Sequence, residues 1–126
     1  MSLEQKTAQL FIITPEALTG FQTVTQAGDA TYKALQEYPV AGLIYFPQNL
    51  QNPKQLKTMT ARTQELAAGL TQLPLFLSID EEGGKVARIA NHEGFDLPKV
   101  DTMAEIGKSR DISRAYEAGS VIGEYL

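Results

Sequence analysis

The sequence predicts an α/β fold built on a parallel sheet, and three observations predict it. The apolar runs LFII (10–13), AGLIYF (41–46) and LFLSI (75–79) are continuous rather than alternating, the pattern of strands buried on both faces. Helical signals separate them. The intervals suit β/α crossover units in which helices cover the sheet.

Taken in order, Ser2-x-x-Gln5 reads as a capping box opening a short helix that sets Leu3 and Leu10 on one face. LFII comes next and stops at Thr14-Pro15. Residues 16–29, with turn points at Gly20 and Gly28, read mostly as loop. Asp29 is positioned to cap a helix running to Tyr38, ended by Pro39. After AGLIYF and Pro47, Asn52-Pro53 is a strong helix start, a capping side chain before proline at the first helical position. Leu56, Met59, Leu66 and Leu70 form one stripe of that helix, and Gly69 lies near its end. Pro74 precedes LFLSI. A long polar segment leads to a last helix over 111–126, where Ala115, Ala118, Gly119 and Gly123 offer small faces for close packing.

Composition narrows the function. The 126 residues fit one domain with a real core. Hydrophobic residues make up 43% and charged residues 21%, as in a globular chain and not a disordered one. A net charge of −4 argues against nucleic acid as a partner, which needs a concentrated basic face. No cysteine is present, so disulfides and thiolate metal sites are excluded. The single histidine, His92, leaves little for a catalytic triad or a multi-histidine metal centre. No apolar run reaches the roughly 18 residues that span a bilayer. The first residues, MSLEQKTAQLF, lack the basic and apolar regions of a signal peptide, and nothing in the sequence sets a compartment.

The stretch LPLFLSIDEEGGKVARI (73–89) carries the chemistry. Parallel α/β folds gather ligands at the carboxyl ends of their strands. Asp80 stands at such an end, followed by Glu81, Glu82 and Gly83-Gly84, with Lys85 and Arg88 able to reach back. A carboxylate that accepts from hydroxyls beside a guanidinium that donates suits a polyol such as a sugar. The plainer alternative has the acids capping a helix just beyond them and pairing with Lys85 and Arg88, with Gly-Gly as a turn. Glu81 and Glu82 are adjacent in one loop, which does not establish the separation of about 5–9.5 Å that glycoside hydrolysis needs. Asp80 and Glu82 lack the further ligands of a magnesium site. His92 reads as a solvated loop residue, and Tyr45 and Phe46 as core. Gln48 and Asn49 suit either the site's mouth or loop hydrogen bonding.

These residues resemble a known family. SIDEEGGKVARI is similar to the DxEGGRVxR segment of the N-acetylhexosaminidases of glycoside hydrolase family 3. The likeness extends to SLEQKTAQLFIITPEALTG, VAGLIYFPQNLQNPKQL, FDLP and GSVIGEYL, in the family's order. It implies that residues 1–126 are the N-terminal part of a (β/α)₈ barrel domain, its first three strands, and so an incomplete barrel. It also implies a retaining enzyme that removes terminal β-N-acetylglucosamine from glycans or cell-wall fragments, with side chains and water alone and no cofactor or metal. Asp80 matches the aspartate that binds hydroxyls of the non-reducing sugar, and Arg88 the arginine that closes the same subsite. Lys85 stands where arginine is commoner, keeping charge but losing a bidentate fork.

The family's lysine-histidine pair, in a KHFPGHG-like segment, its histidine-aspartate acid/base pair and its nucleophilic aspartate all find no match before Leu126. His92 does not fit them. The expectation is therefore substrate-binding residues Asp80 and Arg88, no catalytic residue, and a chain inactive alone. Open edges on the first and third strands would favour self-association. Two other readings compete: a stand-alone, non-catalytic α/β sugar- or anion-binding module, and a small doubly wound signalling domain. Against the second, LFIITPEAL offers only Glu16 after the first strand.

Overall fold

The computed structural model describes residues 1–126. The chain forms two compact units, Met1–Ile79 and Asp80–Leu126.

In the first unit, β1 (Ile12–Ile13), β2 (Gly42–Tyr45) and β3 (Phe76–Ile79) form a parallel sheet in the order β1-β2-β3. The register aligns Ile13, Leu43 and Leu77 across the sheet, and Tyr45 with Ile79. Alternation along a strand puts these five on one face. That face carries the core, in which Leu43 and Tyr45 cluster with Leu18, Leu35, Val40, Met59, Leu66, Ala67 and Leu75. Ile12, Ile44, Phe76 and Ser78 occupy the opposite face, where Ile12 and Phe76 are exposed.

Local chemistry explains the helices. In α1 (Leu3–Ala8) the Ser2/Gln5 capping box closes, with the Ser2 N–H donating to Gln5 Oε1 at 2.8 Å and the Gln5 N–H to Ser2 Oγ at 3.2 Å. Leu3 and Leu10 nevertheless stay exposed, and α1 buries nothing. Residues 15–19 are a helix, α2 (Pro15–Thr19), where the sequence suggested loop. Thr14 accepts from the Ala17 N–H at 3.1 Å, Pro15 fills the first helical position, and Gly20 at φ 76° ends the helix. α3 (Asp29–Glu37) is capped by Gly28, one residue before the expected Asp29. α4 (Pro53–Thr71) starts at Asn52 as expected, with Asn52 Oδ1 accepting from the Gln55 N–H at 2.9 Å. It runs through Gly69 and stops at Gln72, φ 58°. Met59 and Leu66 of its stripe are buried, and Leu56 and Leu70 pack at the margin.

The second unit begins with a hairpin in place of a helix or loop. β4 (Glu81–Gly83) pairs antiparallel with β5 (Val86–Ala87) around the turn Gly84-Lys85. Gly83 and Gly84 adopt φ of 78° and 56°, and a Cβ on Gly83 would collide with the Asp101 carbonyl oxygen. The glycines are therefore required by conformation and by close approach together. α5 (Met103–Ser109), unforeseen in the polar stretch, is opened by a capping box of Thr102 and Glu105. α6 (Ile112–Tyr125) is capped by Asp111. Of its small residues only Ala118 is buried; Gly119 and Gly123 have nothing within 4 Å of an added Cβ. No helix is long and apolar enough to cross a membrane.

Candidate functional site

β3 ends at Ile79, so Asp80 is the first residue past the strand. The hairpin then returns the chain to Arg88, whose backbone N–H donates to the Asp80 carbonyl at 3.1 Å. Backbone pairing thus sets the two side chains side by side, and Arg88 Nη2 stands 3.5 Å from Asp80 Oδ2. Both are about one-third exposed, at 31% and 36% of side-chain area. That contact is too long for a strong hydrogen bond. The Arg88 Nε–H is buried and has no acceptor, an orphaned donor of the kind that ordinarily costs about 1–3 kcal/mol. The Asp80 carboxylate and the Arg88 side chain are thus partly in reach of solvent and joined by only one long contact.

The other charged residues of the stretch divide sharply. Glu81 is committed: Oε1 accepts from the Ile89 N–H, and Oε2 accepts from the Tyr125 hydroxyl at 2.8 Å. Burial, and then the hydrogen bond and charge of Glu81, push the Tyr125 phenol up to about 12. Glu82 and Lys85 are exposed, and neither forms an ion pair. The alternative in which the acids cap a helix and pair with both cations holds only for Arg88. A hairpin, not a helix, succeeds Asp80, and its apex is fixed by the Gly84 N–H donating to the Val100 carbonyl at 2.8 Å. His92 is engaged in its own loop, with Nδ1 accepting from the Gly94 N–H at 3.0 Å and the ring edge-on to Phe95. No three histidine or carboxylate side chains cluster closely enough to hold a metal ion.

At the carboxyl end of β2 the structure decides between the two readings of Asn49. It is fully buried, donating to Glu16 Oε1 at 2.5 Å and to the Val24 carbonyl at 2.8 Å, and accepting from the Phe46 N–H at 2.8 Å. Loop hydrogen bonding accounts for it; Gln48 is exposed. Tyr45 is core, its hydroxyl bonded to Thr63 Oγ1 at 3.3 Å and its pKa raised by burial.

The family model for the glycosyl hydrolase family 3 N-terminal domain matches residues 2–126. The chain belongs to glycoside hydrolase family 3. Among its relatives is beta-hexosaminidase A of Pseudoalteromonas piscicida, 36% identical over 73% of this chain and 16% of the relative. The beta-hexosaminidase of Neisseria meningitidis serogroup C is 39% identical over 69% of this chain and 23% of the relative. Among solved structures, a family 3 beta-N-acetylglucosaminidase from Paenibacillus superposes on the whole chain with TM-score 0.82 and 35% identity, covering 22% of that protein. NagZ of Neisseria gonorrhoeae in complex with N-trifluoroacetyl-D-glucosamine gives TM-score 0.58 and 29% identity, over 82% of this chain and 28% of NagZ. The chain thus spans between 16% and 28% of these relatives. Its parallel sheet and covering helices are those of the opening β/α units of the family's barrel-like fold, as the sequence resemblance implied.

Proposed function

We propose that this family 3 chain contributes the first wall of a sugar-binding subsite to a retaining β-N-acetylhexosaminidase, with Asp80 accepting from ring hydroxyls and Arg88 donating to them. The observation that carries this reading is the partly exposed Asp80–Arg88 pair, joined by a single 3.5 Å contact that leaves the carboxylate free to accept from hydroxyls. Charged groups that bind neutral hydroxyls gain orientation and affinity without needing a charged ligand. The name of the Paenibacillus relative, a beta-N-acetylglucosaminidase, supports N-acetylglucosamine as the sugar. The finer substrate is a glycan or cell-wall fragment ending in that sugar.

Cleavage needs two carboxyl groups in opposed roles. Glu81 is occupied by Ile89 and Tyr125, and Glu82 is exposed and forms no ion pair. The 126-residue chain therefore holds sugar and does not cut it. Purified chain incubated with 4-nitrophenyl N-acetyl-β-glucosaminide should release no nitrophenol above a buffer control; sustained turnover would refute this division of labour.

The same chain should self-associate through the open edges of β1 and β3 and the exposed Ile12–Phe76 face. Sedimentation velocity is expected to show concentration-dependent oligomers, and a monodisperse monomer would contradict it.

A further inference from the structure

We propose that Glu81 is a positioning residue, which holds Arg88 opposite Asp80 by tying the returning strand of the hairpin to the terminal helix through Tyr125. The proposal rests on the sugar-binding reading of Asp80 and Arg88. Its starting point is that Arg88 does not hold itself. Its side chain makes one 3.5 Å contact, and its Nε–H has no acceptor. With its Nε enclosed by packing and no strong polar anchor of its own, its direction depends on the backbone on either side. On one side the Arg88 N–H donates to the Asp80 carbonyl at 3.1 Å. On the other, the N–H of the next residue, Ile89, donates to Glu81 Oε1.

A carboxylate with two oxygens can serve two donors at once, and charge-assisted bonds of this kind are about twice as strong as neutral ones. Oε2 spends this capacity on the Tyr125 hydroxyl at 2.8 Å, across 44 residues of sequence. Ala87, Ile89 and Ala90 are buried around Arg88, so a shift of this segment cannot be absorbed by solvent-facing side chains. Glu81 thus touches no ligand but fixes the frame that presents one.

Tyr125→Phe removes only the phenol, and Glu81→Gln keeps one acceptor oxygen while removing the charge. Each is made in the 126-residue chain and read by the Arg88 Nε–H resonance and by N-acetylglucosamine titration. Both variants should broaden or shift the Nε–H signal, speed its exchange with water, and weaken sugar binding about three- to tenfold. The far-UV spectrum and the Gly84 amide protection should stay unchanged.

If the tie is only structural, α6 amides will lose protection while the Nε–H signal and sugar affinity stay at wild-type values, which overturns the proposal. If wild-type chain binds no sugar yet the Nε–H signal still responds in both variants, the positioning stands and the sugar reading fails.

Discussion

The two units of the chain are held by different physics. Met1–Ile79 rests on a nine-residue apolar cluster between one sheet face and its helices. Asp80–Leu126 buries few large side chains and is laced by polar ties: Glu81 to Tyr125 and Ile89, Gly84 to Val100, Asn91 to the Gly84 carbonyl, and Arg114 to Asp101. The contrast suits the role proposed for the second unit. An apolar core tolerates small shifts at a cost spread over many contacts, whereas a pair such as Asp80–Arg88 needs a frame fixed by direction, and hydrogen bonds supply direction.

The contrast can be broken most forcefully in the core. Leu43, 1% exposed at the centre of the sheet, should cost about 2–5 kcal/mol when changed to alanine; urea denaturation measures it, and a loss under about 1 kcal/mol would deny the cluster its role. Asn49→Ala strips three hydrogen bonds made by a fully buried side chain. It should cost about 2–4 kcal/mol by the same measurement, showing that the first unit too depends on polar bonding at its strand ends.

In the second unit, Gly83→Ala combines φ of 78° with a collision against the Asp101 carbonyl. It should cost about 1–3 kcal/mol and loosen the hairpin amides in hydrogen exchange. Burial of Tyr125, and then its bond to Glu81, sets a pH window. The folded phenol is pushed up to about 12 from an ordinary value of 10.0, so the stability it lends is fully present below pH 10 and lost as pH rises through 12. Spectrophotometric titration should lose its component near 12 in Tyr125→Phe. Smallest of all, Arg114→Ala removes an exposed ion pair at 2.6 Å and should change stability by about 0–1 kcal/mol.

Much of the first unit was legible because its signals are local. Asn52-Pro53 announced α4, and Ser2-x-x-Gln5 announced α1. Thr14-Pro15 is the same cap-and-proline pair, but standing right after an apolar run it reads as a strand stop, and α2 is lost. Gly69 reads as a helix end, yet Gln72 takes the left-handed position because the helix still has Leu70 to pack. In the second unit the strand end at Asp80 and the reach of Arg88 were visible. The hairpin was not, since two- and three-residue strands carry no periodicity. The Glu81–Tyr125 bond left no trace at all, because no local pattern links positions 44 apart.

The measurement that tests the sugar-holding role most directly is a titration of the 126-residue chain with N-acetylglucosamine, monitored at the amides of residues 80–89 in wild type and in Asp80→Asn. A saturable shift centred on Asp80 and Arg88, weakened about tenfold or more in the variant, is the predicted result. Equal shifts in both proteins, or saturable shifts that bypass these two residues, would contradict it.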